Sequence, residues 1–175
     1  MQRSYFSPIV RMVSILVLPL VYVALCPDLA DARDDPGARY TLKGLPFIGV
    51  KVGLSGDDTS RSGVTQEQLQ TDVELRLRKA GIKVVPDSPW YLSVAVTTSQ
   101  ITSGRAPLAY PYSISVEFIQ GVHLFRDSRI MSFASTWSVH LVAWVREDRL
   151  QDIREVLADA VDKFINAYLE QNPKQ

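Results

Sequence analysis

Residues 112–145 alternate apolar and polar side chains almost without interruption, and that period of two commits them to two long β-strands folded back on each other. In the first run the apolar residues fall on even numbers: Tyr112, Ile114, Val116, Phe118, Val122 and Leu124. In the second they fall on odd numbers: Met131, Phe133, Trp137, Val139, Leu141, Ala143 and Val145, alternating with residues that include Ser132, Thr136, Ser138 and His140. Successive strand residues point to opposite faces, so the two apolar sets share a face only if even positions pair with odd ones. A three-residue turn at Asp127, Ser128 and Arg129 pairs even with even and is disfavoured. A four-residue loop over residues 126–129 instead pairs Leu124 with Met131, Val122 with Phe133, Phe118 with Trp137 and Val116 with Val139. A bulge at Gly121 also switches the parity; the loop is the preferred of the two.

The rest of the chain reads as material to pack against this hairpin. Ile48, Val50, Val52 and Leu54 alternate in a first strand, followed over residues 55–63 by a loop of Gly, Asp, Ser and Thr. Thr65 and Gln68 form a capping box, and Val64 and Leu69 a hydrophobic staple, at the start of a helix whose inner stripe is Leu69, Val73, Leu77 and Ala80. Gly81 supplies the left-handed residue that ends it, with Ile82 folding back onto Leu77. A short strand over residues 82–85 stops at Pro86, and a third strand carries Leu92, Val94 and Val96. Residues 100–111, with Gly104, Pro107 and Pro111, read as a surface loop. The chain closes with a helix from about residue 147 to 170, capped by Asp148, lined inside by Leu150, Ile153, Leu157, Ala160, Phe164 and Tyr168, and stopped by Asn172 and Pro173.

The order β-α-β-β-β-β-α predicts an α+β two-layer sandwich. A helix between the first two strands makes them parallel through a right-handed crossover. The remaining strands are antiparallel, and both helices cover one face of the mixed sheet. The other face is expected to carry Ser93, Thr97, Ser113, Ser115, Glu117, Ser132, Thr136 and Ser138.

A chain of 175 residues, 46% hydrophobic and 22% charged, suits one globular domain, here residues 42–173 behind a flexible polar leader over 33–41. Acidic and basic residues balance at 19 each, which gives no reason to expect nucleic acid or an anionic membrane as a partner. Residues 1–32 form a signal peptide: Arg3 and Arg11 give a basic start, residues 12–25 are almost wholly apolar, and Ala30-Asp31-Ala32 carries small residues at the spacing a signal peptidase reads. The alternative is an uncleaved anchor, since residues 9–26 approach spanning length, and only then does a membrane become a partner. Lipoprotein processing at Cys26 is disfavoured by the bulky Leu25 before it. Cys26 is the single cysteine, so cleavage after Ala32 leaves no disulfide, thiol nucleophile or Cys-ligated metal.

Several segments together carry a resemblance: residues 77–82 (Leu-Arg-Lys-Ala-Gly-Ile), the run 112–122, Thr136-Trp137, and residues 164–169 (Phe-Ile-Asn-Ala-Tyr-Leu) with Asn172-Pro173. Over most of residues 42–173 they resemble a group of small exported bacterial proteins without an assigned activity. The element order also resembles small periplasmic domains such as the amino-terminal domain of TolB and the curli-secretion and penicillin-binding-protein-activator lipoproteins. That likeness is architectural, implies binding to other envelope components rather than catalysis, and transfers no functional residue.

The residues themselves assign no catalytic, cofactor or metal site. In the four-residue-loop register His140 opposes Ser115, eight positions from His123, which separates the two histidines by roughly 26 Å, too far to share a metal. Ser138 and His140 share a face without a nucleophile elbow or an evident orienting carboxylate, and Glu117 stands alone on its strand. Asp57 and Asp58 fit no calcium-loop spacing, and Gly49 and Gly53 are not followed by a phosphate-binding Gly-Lys-Ser/Thr. What stands out is aromatic. Tyr91 and Trp144 project from the helix-free face and, with Ile119, form a candidate interaction surface. The expected function is a non-catalytic binding or assembly-accessory protein, periplasmic or secreted, whose partner is another envelope or secreted protein. The alternative is a small exported enzyme or ligand binder with a loop-built site.

Overall fold

A computed structural model describes residues 33–56, 64–103 and 106–173, so the signal segment and Asp57 and Asp58 lie outside the described residues. The described elements are α1 (Pro36–Tyr40), β1 (Gly49–Gly56), α2 (Gln66–Lys79), β2 (Tyr91–Thr98), β3 (Ile101–Ser103), β4 (Ala106–Leu124), β5 (Asp127–Val145) and, after a 3-10 turn at Glu147–Arg149, α3 (Asp152–Gln171). The fold is α+β. β1 and β2 are parallel, while β2 and β3 both run antiparallel to β4, and β4 to β5. The core lies between the sheet and the two long helices. Leu92, Val94, Val96, Ile114, Val116, Phe118, Trp137 and Val139 on the sheet meet Leu69, Val73, Leu77, Ile153, Leu157 and Phe164 on the helices, all buried. Phe164 is the hub: it stacks on Phe118 at 5.8 Å and meets the edge of Trp137 at 5.2 Å, geometries that aromatic quadrupoles favour.

The first long helix forms as its sequence dictates. Thr65 accepts from the Gln68 amide while the Gln68 side chain accepts from Thr65 N–H, completing the capping box. At the other end Gly81 takes φ +86°, and Ile82 N–H bonds Leu77 O while Gly81 N–H bonds Arg78 O, the paired bonds of a Schellman ending. Asp148 is not the cap of α3. Its carboxylate pairs with Arg146, the chain makes a 3-10 turn first, and α3 begins after Gln151 with no side-chain cap bond. Asn172 secures the far end, accepting from Gly44 N–H and donating to Leu42 O and Tyr168 O.

Two strand assignments differ from expectation. Residues 82–85 make a single parallel bridge, Ile48 to Val84, and the parallel partner of β1 is β2. Pro86 and the left-handed Asp87 (φ 56°) break the run before a ladder can extend. Residues 100–111, expected as a surface loop, contain β3 and the start of β4, paired through Ile101–Ala109 and Thr102–Pro107.

The hairpin solves its parity problem differently from either sequence reading. Phe118 pairs with Trp137 and Val116 with Val139, as the alternation requires, and this register holds from Tyr110–Val145 onward. Beyond Phe118 it shifts: Ile119 pairs with Ser135, leaving Thr136 as an extra residue on β5. The bulge is therefore at Thr136 and not at Gly121, and the tip is a two-residue turn, Phe125-Arg126, with Leu124 opposite Asp127. The Thr136 hydroxyl accepts from the Gln120 side chain at 2.8 Å, and Gln120 also reaches Thr41 O at 3.4 Å. Because the bulge reverses parity, Gly121 pairs with Phe133 and His123 with Met131, which moves both apolar side chains from the expected core face to the helix-free face.

In the segment expected as a flexible leader, the structure has a capped helix tied to the domain. Asp35 accepts from Gly37 and Ala38 N–H, and Arg33 bridges to Ser138 on the outer edge of β5. Asp34 accepts from Trp137 Nε1–H at 2.7 Å and from Arg39, which also pairs with Glu170. Burial by itself would raise the Asp34 pKa; the bonds from Arg39 and Trp137 more than offset it and hold the carboxyl below its ordinary value. A depressed carboxylate stabilises the fold above its unfolded pKa of about 4, and that contribution disappears as pH falls through the folded value. Asp34→Asn is therefore expected to lose roughly 1–3 kcal/mol at neutral pH, and the gap from the parent should close below about pH 4. Urea titrations at the two pH values measure both.

Candidate functional site

The helix-free face is built from the strand positions that alternate with the core. Tyr91 lies directly opposite Ile119, and Lys51 Nζ sits 3.9 Å from the centre of the Tyr91 ring. Ile119 faces Ser135 on its other side; two rungs further, on the same face, Phe133 stands opposite Gly121, and two beyond that Met131 stands opposite His123. Gly121 has no side chain, and the Met131 sulfur lies 3.7 Å from where its Cβ would be, so Met131 leans over the gap. Phe133 and Met131 are 59% and 62% exposed, values ordinary for a charged residue and high for these. Tyr91, Ile119, Phe133 and Met131 thus form one apolar strip across β2, β4 and β5.

Trp144 is elsewhere. It lies opposite Pro111, eight positions along β4 from Ile119, or about 26 Å at strand rise, with exposed Val142 opposite Ser113. Of the candidate residues Tyr91, Ile119 and Trp144, the structure brings the first two together and leaves the third at the opposite end of the same face. Met131 and Phe133 were absent from the sequence-based surface because alternation assigned them to the core.

The polar middle of this face holds Ser115, Glu117 and His140. Ser115 Oγ donates to Glu117 Oε1 at 2.9 Å, and His140 Nε2 lies 3.8 Å from the same oxygen. Sequence reading had left Glu117 alone and His140 without a carboxylate, since cross-strand diagonals cannot be read before the register is known. The serine is bonded to the carboxylate and not to the imidazole, so the trio lacks the hydroxyl-to-base contact of a nucleophilic relay. His140 does oppose Ser115, while His123 Nδ1 lies 2.6 Å from Ser128 O near the tip. Among the described residues no group of three or more His, Cys, Asp or Glu side chains is placed to hold a metal ion.

On the opposite side of the domain, a groove of about 470 Å³ runs between α2 and α3 over a floor of Val73, Leu157 and Val161. Its arginines are engaged. Arg76 holds Asp162 through two bonds of 2.6 Å, and Arg154 holds Asp72 at 2.6 and 2.9 Å. These bonds fasten the two helices together and take up the charge that would otherwise greet a ligand.

No family model matches the chain, and no curated protein does. Among solved structures it is similar to a PelC dodecamer from Paraburkholderia phytofirmans, at TM-score 0.36 and 15% identity, covering 72% of this chain and 92% of that one. It is also similar to the rare lipoprotein B from Shewanella oneidensis, at TM-score 0.35 and 17% identity over 69% of this chain and 95% of that one. A minor lipoprotein from Acinetobacter baumannii follows at TM-score 0.29 and 13% identity, over 73% and 94%. Two of these three are bacterial lipoproteins by name. With TM-scores this low, the assignment of the fold rests on the chain's own sheet and helices.

Proposed function

We propose that this is an exported, non-catalytic binding or assembly-accessory protein of the bacterial cell envelope, which docks another envelope or secreted protein on its helix-free face. One observation carries the reading: Tyr91, Ile119, Phe133 and Met131 share the helix-free face, and the last two are more than half exposed there. Aromatic and methionine side chains of this kind make strong anchors because they bring large area at little conformational cost. The export half of the reading rests on the signal-like residues 1–32.

The test is photo-crosslinking from position 91 in the native envelope, followed by identification of what is captured. A specific protein partner is expected, and the double variant Met131→Ser, Phe133→Ser should capture it roughly tenfold less or worse. Because both side chains are exposed, the melting temperature of the double variant should stay close to that of the parent. Capture of no specific protein, or capture that the double variant leaves intact, would reject this surface.

A further inference from the structure

The end of the hairpin is a second surface, separate from the strip around Ile119. Phe125 and Arg126 form the apex turn, with the Phe125 ring fully exposed and Ile130 exposed on the returning strand. Arg126 has no acidic partner among the described residues, and Arg129 reaches back only to Asp127. An exposed aromatic ring beside an unpaired arginine at an apex is the arrangement that seats the ring at an acyl boundary and the guanidinium group at a lipid phosphate. The opposite end of the sheet exposes Trp144 and Val142, but an ion pair with Asp148 occupies the nearby Arg146.

The position of the preceding chain supports the same occupant. Arg33, the first described residue, is held at the root of this arm by Ser138 and by a bond from its guanidinium to Ser135 O. The apolar run of residues 12–25 ends only seven residues earlier, a stretch that spans at most about 25 Å. From Ile119, opposite Ser135, to Phe125 the arm measures about 20 Å at strand rise, residues 128–130 being extra on β5. While residues 12–25 are held at a bilayer, before cleavage or permanently, the root thus lies within about 25 Å of the surface, a distance that the arm with its apical Phe125 side chain nearly spans.

From these features we infer that the Phe125–Arg126 apex docks on an anionic lipid surface, with Phe125 at the acyl boundary and Arg126 at the phosphates. The contact is weak and reversible without the apolar run, because one short apolar anchor gives marginal binding. The experiment is co-sedimentation of the form beginning at Arg33, which keeps every described residue, with vesicles of phosphatidylcholine alone or mixed with phosphatidylglycerol. Binding is expected on the mixed vesicles and should weaken with added salt. Phe125→Ser should bind roughly ten- to hundredfold less and Arg126→Ser roughly fivefold less, with melting temperatures unchanged. No phosphatidylglycerol-dependent binding, or equal binding by Phe125→Ser, overturns the inference. So does Phe125-dependent dimerisation in sedimentation velocity without vesicles, which would assign the apex to a second copy. A specific protein captured from position 91 alongside no lipid binding would overturn the lipid surface alone and leave the docking face standing.

Discussion

Trp137→Ala is expected to destabilise the fold by roughly 3–5 kcal/mol, the largest effect of any single substitution considered for this chain. Trp137 is fully buried and packs in a T-shaped pair with the Phe164 ring, which in turn stacks on Phe118. Removing it empties the space where sheet and α3 meet, and neighbours held by strand ladders have little freedom to collapse into the void. It also strips Asp34 of the indole N–H bond, leaving a partly buried carboxylate with Arg39 alone. Trp137→Phe separates the two contributions. It keeps most of the ring volume and loses the bond, so it should cost about 1–3 kcal/mol. Guanidinium melts of both variants give the values; a loss under about 1 kcal/mol for Trp137→Ala would mean that the hairpin is not packed through this residue.

How much of this was legible in the sequence follows from where burial constrains the chain. From Tyr112 to Phe118, and from Trp137 to Ala143, one face lies against the helices, so alternation predicted the pairing correctly down to Val116–Val139. The α2 ends were legible for a related reason: Thr65, Gln68, Gly81 and Ile82 act through bonds local in sequence. The outer hairpin was not. With no helix over Met131 and Phe133, neither face is preferred by burial, and assuming that apolar means inward put them on the wrong side. One length comparison could have exposed this. A strand of 19 residues extends about 60 Å and a helix of 20 residues about 30 Å, so half of the hairpin has to project past the helix layer. Ile82 to Val85 failed in the opposite sense, being apolar enough for a strand but confined between Gly81 and Pro86 to one bridge.

Inserting one serine between Phe118 and Ile119 is expected to turn the docking strip over without removing any of its apolar residues. The insertion gives Thr136 a partner on β4, so the ladder passes this point without a bulge; Phe133 stays opposite Gly121 and Met131 opposite His123, but both pairs change face. Both side chains then point to the helix side of the projecting arm, away from Tyr91. The same change turns Gln120 away from the Thr41 carbonyl, for a stability loss of about 1–2 kcal/mol, well short of the Trp137→Ala effect. Cross-strand NOEs between the inserted residue and Thr136 would establish the new ladder, and capture by Tyr91-centred photo-crosslinking should fall roughly tenfold or more. If docking needed only exposed hydrophobic area on the arm, the insertion would leave capture intact, since Met131 and Phe133 remain exposed on either side. Loss of capture with the fold retained therefore means that the partner reads the face which the bulge at Thr136 sets, and that this bulge is the residue-level device turning a surplus length of hairpin into a directed surface.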